Sequence, residues 1–152
     1  MELPHYEILP KEDLYTFRFI SEGKNGEIQK VIYYEEIAEG VFNLALGDED
    51  PATGIIDDKV VTNNGDTEKV LATVIQTVYA FTNSNPIALI YVTGSTHSRN
   101  RLYRKGITKY LTQALKDFII FGELENNEFE LFNPTTDYIG FLIQRKIEQL
   151  WT

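Results

Sequence analysis

The residues best suited to chemistry lie in Gly94-Ser95-Thr96-His97-Ser98-Arg99-Asn100-Arg101, at the end of an apolar run. A glycine, three hydroxyls and two arginines meet there. Arginine presents a planar fork of donors that matches phosphate or carboxylate. A helix starting in this stretch adds unbonded backbone N–H groups, which also favour an anion. The candidate anion ligands are therefore Gly94, Ser95, Thr96, Ser98, Arg99 and Arg101. The alternative is that Ser98 caps the helix and the arginines pair with acidic loops. A second junction, Asn63-Asn64-Gly65-Asp66-Thr67, offers Asn63, Asn64, Gly65 and Thr67 to a ligand. Here Asp66 and Glu68 repel phosphate and can satisfy the helix start themselves, which favours a capped helix after a turn.

Other catalytic and metal sets find little support. The two histidines, His5 and His97, are far apart in sequence, and there is no cysteine to serve as nucleophile or zinc thiolate. Asp48, Glu49, Asp50, Asp57 and Asp58 could ligate a hard cation, but their spacing fails the calcium-loop template. No metal is expected.

The formal charge of −9 opposes duplex DNA and anionic membranes. It is unevenly spread. Glu35 to Glu68 holds ten acidic residues and one lysine, whereas Gly94 to Lys116 holds six basic residues and no acidic one. The acidic stretch suits a basic protein partner. The basic stretch, with Tyr103 beside Arg99, Arg101 and Arg104, has the materials to stack and neutralise a nucleotide or a single strand, although the acidic total opposes it. Met1-Glu2-Leu3-Pro4 has neither a basic nor an apolar leader pattern, and the longest apolar runs are too short to span a bilayer, so a cytoplasmic protein is expected.

The elements that must position these residues follow from periodicity. Residues 14 to 20, 28 to 34, 41 to 46 and 55 to 61 read as strands of an antiparallel meander. Asp66 then caps a helix with Val70, Leu71, Val74, Val78 and Phe81 at helical spacing, stopping before Pro86. Ile87 to Thr93 reads as a strand buried on both faces, and a second helix runs from Arg99 through Leu102, Tyr103, Tyr110, Leu111 and Ala114. Strands follow at 118 to 121 and 129 to 132, with a last one over 138 to 143, for which a helix running through Trp151 is the alternative. The expectation is one α+β domain over 1–152 with a loosely ordered arm over 1–12. It has two helices and a mixed, mainly antiparallel sheet in the order ββββ-α-β-α-β-β.

Two groups of segments carry a resemblance. Asn43-Leu44-Ala45-Leu46-Gly47-Asp48, Asp57 to Asp66 and Val70-Leu71-Ala72-Thr73-Val74 form one, and Gly94-Ser95-Thr96 with Ser98-Arg99-Asn100-Arg101-Leu102-Tyr103 the other. Together they resemble a small bacterial family described as a domain of unknown function, which implies no activity. A more distant pattern, Leu102-Tyr103, Lys105 and Gly106 after the strand 87 to 93, resembles GNAT acetyltransferases. That resemblance implies a GNAT-like core, coenzyme A as cofactor, contacts from Asn64, Gly65 and Thr67, and Tyr103 as an acid near the thioester. The cofactor loop departs from the GNAT form Arg/Gln-x-x-Gly-x-Gly/Ala, with Asn63 to Glu68 holding one glycine, no basic residue and two carboxylates. The resemblance therefore speaks for fold more than activity. A non-catalytic binding or regulatory domain is the leading expectation, with no cofactor.

Overall fold

The computed structural model of the chain describes residues 4–11, 15–57, 64–94 and 97–147. The chain is α+β, with a mostly antiparallel open sheet and, among the described residues, three helices. It divides into two compact units, Met1–Glu35 with Ala45–Ser84, and Glu36–Leu44 with Asn85–Thr152.

The first unit contains β1 (Leu9–Pro10), β2 (Thr16–Gly23), most of β3 (Gly26–Ala38), the second half of β4 (Val41–Glu49), β5 (Ile56–Asp57) and α1 (Thr67–Ser84). β2 and β3 form a hairpin in register from Thr16↔Tyr33 to Gly23↔Gly26, and β1 adds to β2 at Leu9↔Arg18. β2 alternates as a half-buried strand should, burying Phe17, Phe19 and Ser21. α1 buries Leu71, Val74, Val78 and Phe81 on one stripe, as their spacing requires. Its core is aromatic: Tyr34 stacks on Phe81 at 4.1 Å and meets Phe17 edge-on at 6.0 Å. Three threonines share the buried face of α1, each hydrogen-bonded: Thr82 donates to Val78 O, Thr77 bonds the Tyr34 hydroxyl, and Thr73 accepts from Tyr6 N–H. Within the arm expected over 1–12, Tyr6 is buried, and its ring stacks on Phe19 at 5.6 Å.

The second unit contains the first half of β4, β6 (Leu89–Val92), α2 (His97–Lys109), α3 (Leu111–Asp117), β7 (Phe118–Glu123), β8 (Phe129–Leu131) and β9 (Gly140–Arg145). The strands run in the order β4-β6-β9-β7-β8. β4 and β6 are parallel, with Leu44 opposite Val92, and the remaining pairs are antiparallel. Phe42, Leu44, Ile90, Val92, Phe118, Ile120 and Phe141 form the core. This register gathers the carboxyl ends of β6 and β7 and the start of β9 at one end of the unit, and α2 begins there too.

Three expectations need correction. The second helix is two, because the chain turns at Tyr110 after Gly106, Ile107 and Thr108, all weak helix formers. The strand expected over 87 to 93 is shorter and buried at alternate residues only. Ile87, 76 % exposed, sits in the turn where Ala88 N–H donates to Asn85 O. The order of strands is also richer than ββββ-α-β-α-β-β, with β1 before the meander, while the last strand expected over 138 to 143 is present as β9. Of the strand expected over 55 to 61, Ile56–Asp57 is seen, and 58 to 61 lie outside the described residues.

Candidate functional site

The first junction is a clamp inside the first unit. Asn64 is buried, its Nδ2 donating to Ser21 Oγ (3.1 Å) and Gly26 O (3.0 Å) and its Oδ1 accepting from Asn25 N–H (2.6 Å). Asp66 accepts from the Tyr6 hydroxyl (2.6 Å) and from Ser21 Oγ (2.5 Å). Burial and the Asp66 carboxylate push the Tyr6 hydroxyl above its ordinary range. Gly65 makes the turn at a φ of 77°, and Thr67 opens α1 on the exposed side. Asn63 lies outside the described residues. The polar atoms of Asn64 and Asp66 thus fasten the β2–β3 hairpin to the start of α1.

The second junction belongs to the second unit. Ser95 and Thr96 lie outside the described residues, as does the side chain of Ser98. Gly94 is held by its own backbone, its N–H donating to Asn100 Oδ1 at 2.6 Å. A Cβ on Gly94 would stand 2.5 Å from Arg99 Cβ and 2.8 Å from Asn100 N, so only glycine lets α2 approach β6 this closely. Arg99 and Arg101 each engage partners within the chain. Tyr103 is 7 % exposed, and burial pushes its hydroxyl above the ordinary range despite nearby Arg99. At that burial its ring presents no face on which a base could stack.

Around this junction the fold builds a recess of about 150 Å³ lined by Asn100, Arg101, Arg104, Glu125, Asp137 and Tyr138. Arg104 Nη1 donates to Thr136 O at 3.2 Å and pairs with Asp137. The Tyr138 hydroxyl accepts Asn133 N–H at 2.9 Å. Its ring lies so close over Gly122 that a Cβ there would be 2.3 Å from it. The strand ends beneath are pinned by Glu123, a buried carboxylate that accepts from the Tyr91 hydroxyl and from Asn127 Nδ2 (3.1 Å). Ile139 N–H donates to Glu123 O, and Thr93 Oγ1 to Ile139 O at 2.8 Å. Burial first, and then the Glu123 carboxylate, push the Tyr91 hydroxyl up to about 12.

A second, more open recess of about 450 Å³ lies in the first unit, lined by Asp48, Glu49, Asp50, Thr53, Ile55 and Asp57. Two of its carboxylates are fixed from below. Lys30 Nζ reaches Asp48 at 2.6 Å, and Arg18 holds Glu49 with two bonds of 3.0 Å. That bidentate pairing pulls the Glu49 carboxyl below its ordinary range and raises Arg18. Ile55, 67 % exposed, projects beside them. No group of carboxylates and histidines among the described residues is placed to hold a metal ion.

The structure thus brings Gly94, Arg101 and Asn100 together with Arg104. Asn64 belongs to the first unit, bound up in a hairpin clamp, and Asn63 lies outside the described residues. Sequence reasoning missed Glu125, Asp137 and Tyr138. They come from turns more than twenty residues downstream, and the only local signal was turn chemistry at Asn126-Asn127 and Asn133-Pro134.

Residues 2–146 match the model of a family of unknown function (DUF6934), and the chain belongs to that family. No curated protein and no solved structure matches the chain. No helix among the described residues is long and apolar enough to cross a membrane.

Proposed function

We propose that this member of a family without an assigned activity is a non-catalytic binding domain, and that a basic protein partner docks on the acidic recess of its first unit. One observation carries the reading. Four carboxylates, Asp48, Glu49, Asp50 and Asp57, line that recess around Thr53 and the exposed Ile55. Arg18 and Lys30 neutralise Glu49 and Asp48 while fixing them in place, so these two organise the recess before a partner arrives rather than adding net negative charge. An exposed isoleucine ringed by carboxylates offers a lysine or arginine side chain both an apolar wall for its stem and an acceptor for its head. The net charge of −9 steers such a partner from a distance. The experiment is recovery of the protein from its host at native levels, as wild type and as Asp50→Lys/Asp57→Lys. A defined basic partner retained by the wild type and released by the charge reversal supports the reading. A partner that stays bound to the reversed variant overturns it.

A second reading, a coenzyme A-binding domain with a GNAT-like core, is favoured by one feature. The parallel β4 and β6 are joined through α1 in the strand–helix–strand order of that resemblance. Coenzyme A raising the melting temperature of the wild type but not of Gly65→Glu would support it. An equal response in the two proteins would remove Asn64, Gly65 and Thr67 as contacts.

A further inference from the structure

We propose that the recess at the start of α2 binds a carboxylate group, held by Asn100, Tyr138 and Arg104. This site lies in the second unit and stands or falls separately from docking on the acidic recess of the first.

Its inner wall offers hydrogen-bond donors. Asn100 is 9 % exposed and Tyr138 5 % exposed, and both line the recess. Each spends its accepting oxygen on a backbone N–H: Asn100 Oδ1 on Gly94 and Tyr138 Oη on Asn133. Asn100 Nδ2 and the Tyr138 O–H are therefore the groups left to donate, and among the described residues neither has a protein acceptor. No side-chain polar atom among the described residues is both fully buried and unpaired, so these protons open onto the recess, where an acceptor from outside the chain can meet them. Arg104 adds charge. Its bonds to Thr136 O and Asp137 both use Nη1, which leaves Nη2 and Nε of a five-donor group.

Size and the rim narrow the ligand. The recess of about 150 Å³ is smaller than the ~300–1,000 Å³ that encloses a drug-sized ligand, so it takes a small anion or one end group of a larger molecule. Glu125 and Asp137 also line it, and Asp137 is already paired with Arg104. These carboxylates oppose a ligand carrying further negative charge, which favours a singly charged carboxylate over phosphate or polyphosphate. Arg101 also lines the recess, with a partner of its own within the chain.

The test is a titration of the full chain with sodium acetate, followed by amide NMR against sodium chloride at equal ionic strength, with sodium phosphate as a parallel arm. The expected result is a saturable shift of the Asn100 side-chain amide and of the Gly94 N–H with acetate, stronger than with phosphate. Asn100→Asp keeps the acceptor for Gly94 and replaces the donor with a negative oxygen. It should weaken acetate binding at least about tenfold. Tyr138→Phe removes the second donor and should weaken it as well. If Asn100→Asp does not fold, Tyr138→Phe decides. A flat acetate titration, a response to phosphate alone, or unchanged affinity in the folded variants would overturn the assignment.

Discussion

The Gly94 N–H and the Asn100 Oδ1 are 2.6 Å apart, and this one bond ties the end of β6 to the first turn of α2. It also explains why the loop carries a glycine, since a Cβ at Gly94 would meet Arg99 Cβ at 2.5 Å. Gly94→Ala should force backbone movement and cost about 1–3 kcal/mol of stability, read by urea denaturation. Asn100→Ala removes the acceptor and leaves a part-buried N–H unpaired, for a loss of about 1–3 kcal/mol. Asn100→Asp should cost less than Asn100→Ala, because its oxygen still reaches Gly94. Equal losses for the two Asn100 variants would show that the bond does not hold the junction.

Asn64 plays the corresponding part in the first unit. Its amide bonds to Ser21, Gly26 and Asn25 fasten the turn end of the β2–β3 hairpin to the residue before the α1 turn. Asn64→Ala should destabilise the protein by about 2–4 kcal/mol, the scale for breaking a buried polar network. Hydrogen exchange should show the amides of Gly23 to Gly26 losing protection first.

The Arg18–Glu49 pair gives an acid-side prediction. The bidentate bond lowers the Glu49 carboxyl in the folded chain, so the folded state binds its proton less readily than the unfolded state does. Its stabilising contribution is complete above about pH 4.3, the ordinary glutamate value, and is lost as pH falls through the lowered folded value. Arg18→Met should therefore lower stability at neutral pH and flatten the dependence below pH ~4.3. Parallel pH–stability curves for wild type and variant would show that the pair contributes nothing.

On the alkaline side, Tyr91 has the opposite sign. Burial and Glu123 raise its hydroxyl to about 12, so it favours folding fully below about pH 10, and that contribution is lost as pH rises toward 12. Tyr34, wholly buried against Thr77, is raised further still. Ultraviolet titration of the folded protein should show Tyr91 and Tyr34 ionising after the exposed tyrosines. Glu123→Gln should bring the Tyr91 transition down, because the carboxylate charge is one of its causes.

The sequence showed the frame better than the site. Alternating Phe17 and Phe19 announced β2, and Val74, Val78 and Phe81 announced α1, because burial of one face imposes a period that can be read locally. The break at Tyr110 was less visible, since it depends on weak helix formers inside an otherwise helical pattern. The recess in the second unit was half visible. Gly94, Arg99 and Arg101 stand out as neighbours, but Tyr138 joins Arg101 at the recess only because β9 lies between β6 and β7. Strand order of this kind is set by long-range pairing, which no window of sequence encodes. Asn64 illustrates the same limit: its type and position suited a ligand, and its partners at Ser21 and Gly26 lie about forty residues upstream.

The most direct test of a docking role is the mass of the protein recovered at native levels from its host, measured by light scattering beside Asp50→Lys/Asp57→Lys. The expected result is a defined complex with a basic protein for the wild type, and release of that partner in the charge-reversed variant. A wild-type protein that elutes alone at its own mass, or a complex indifferent to the reversal, would contradict it.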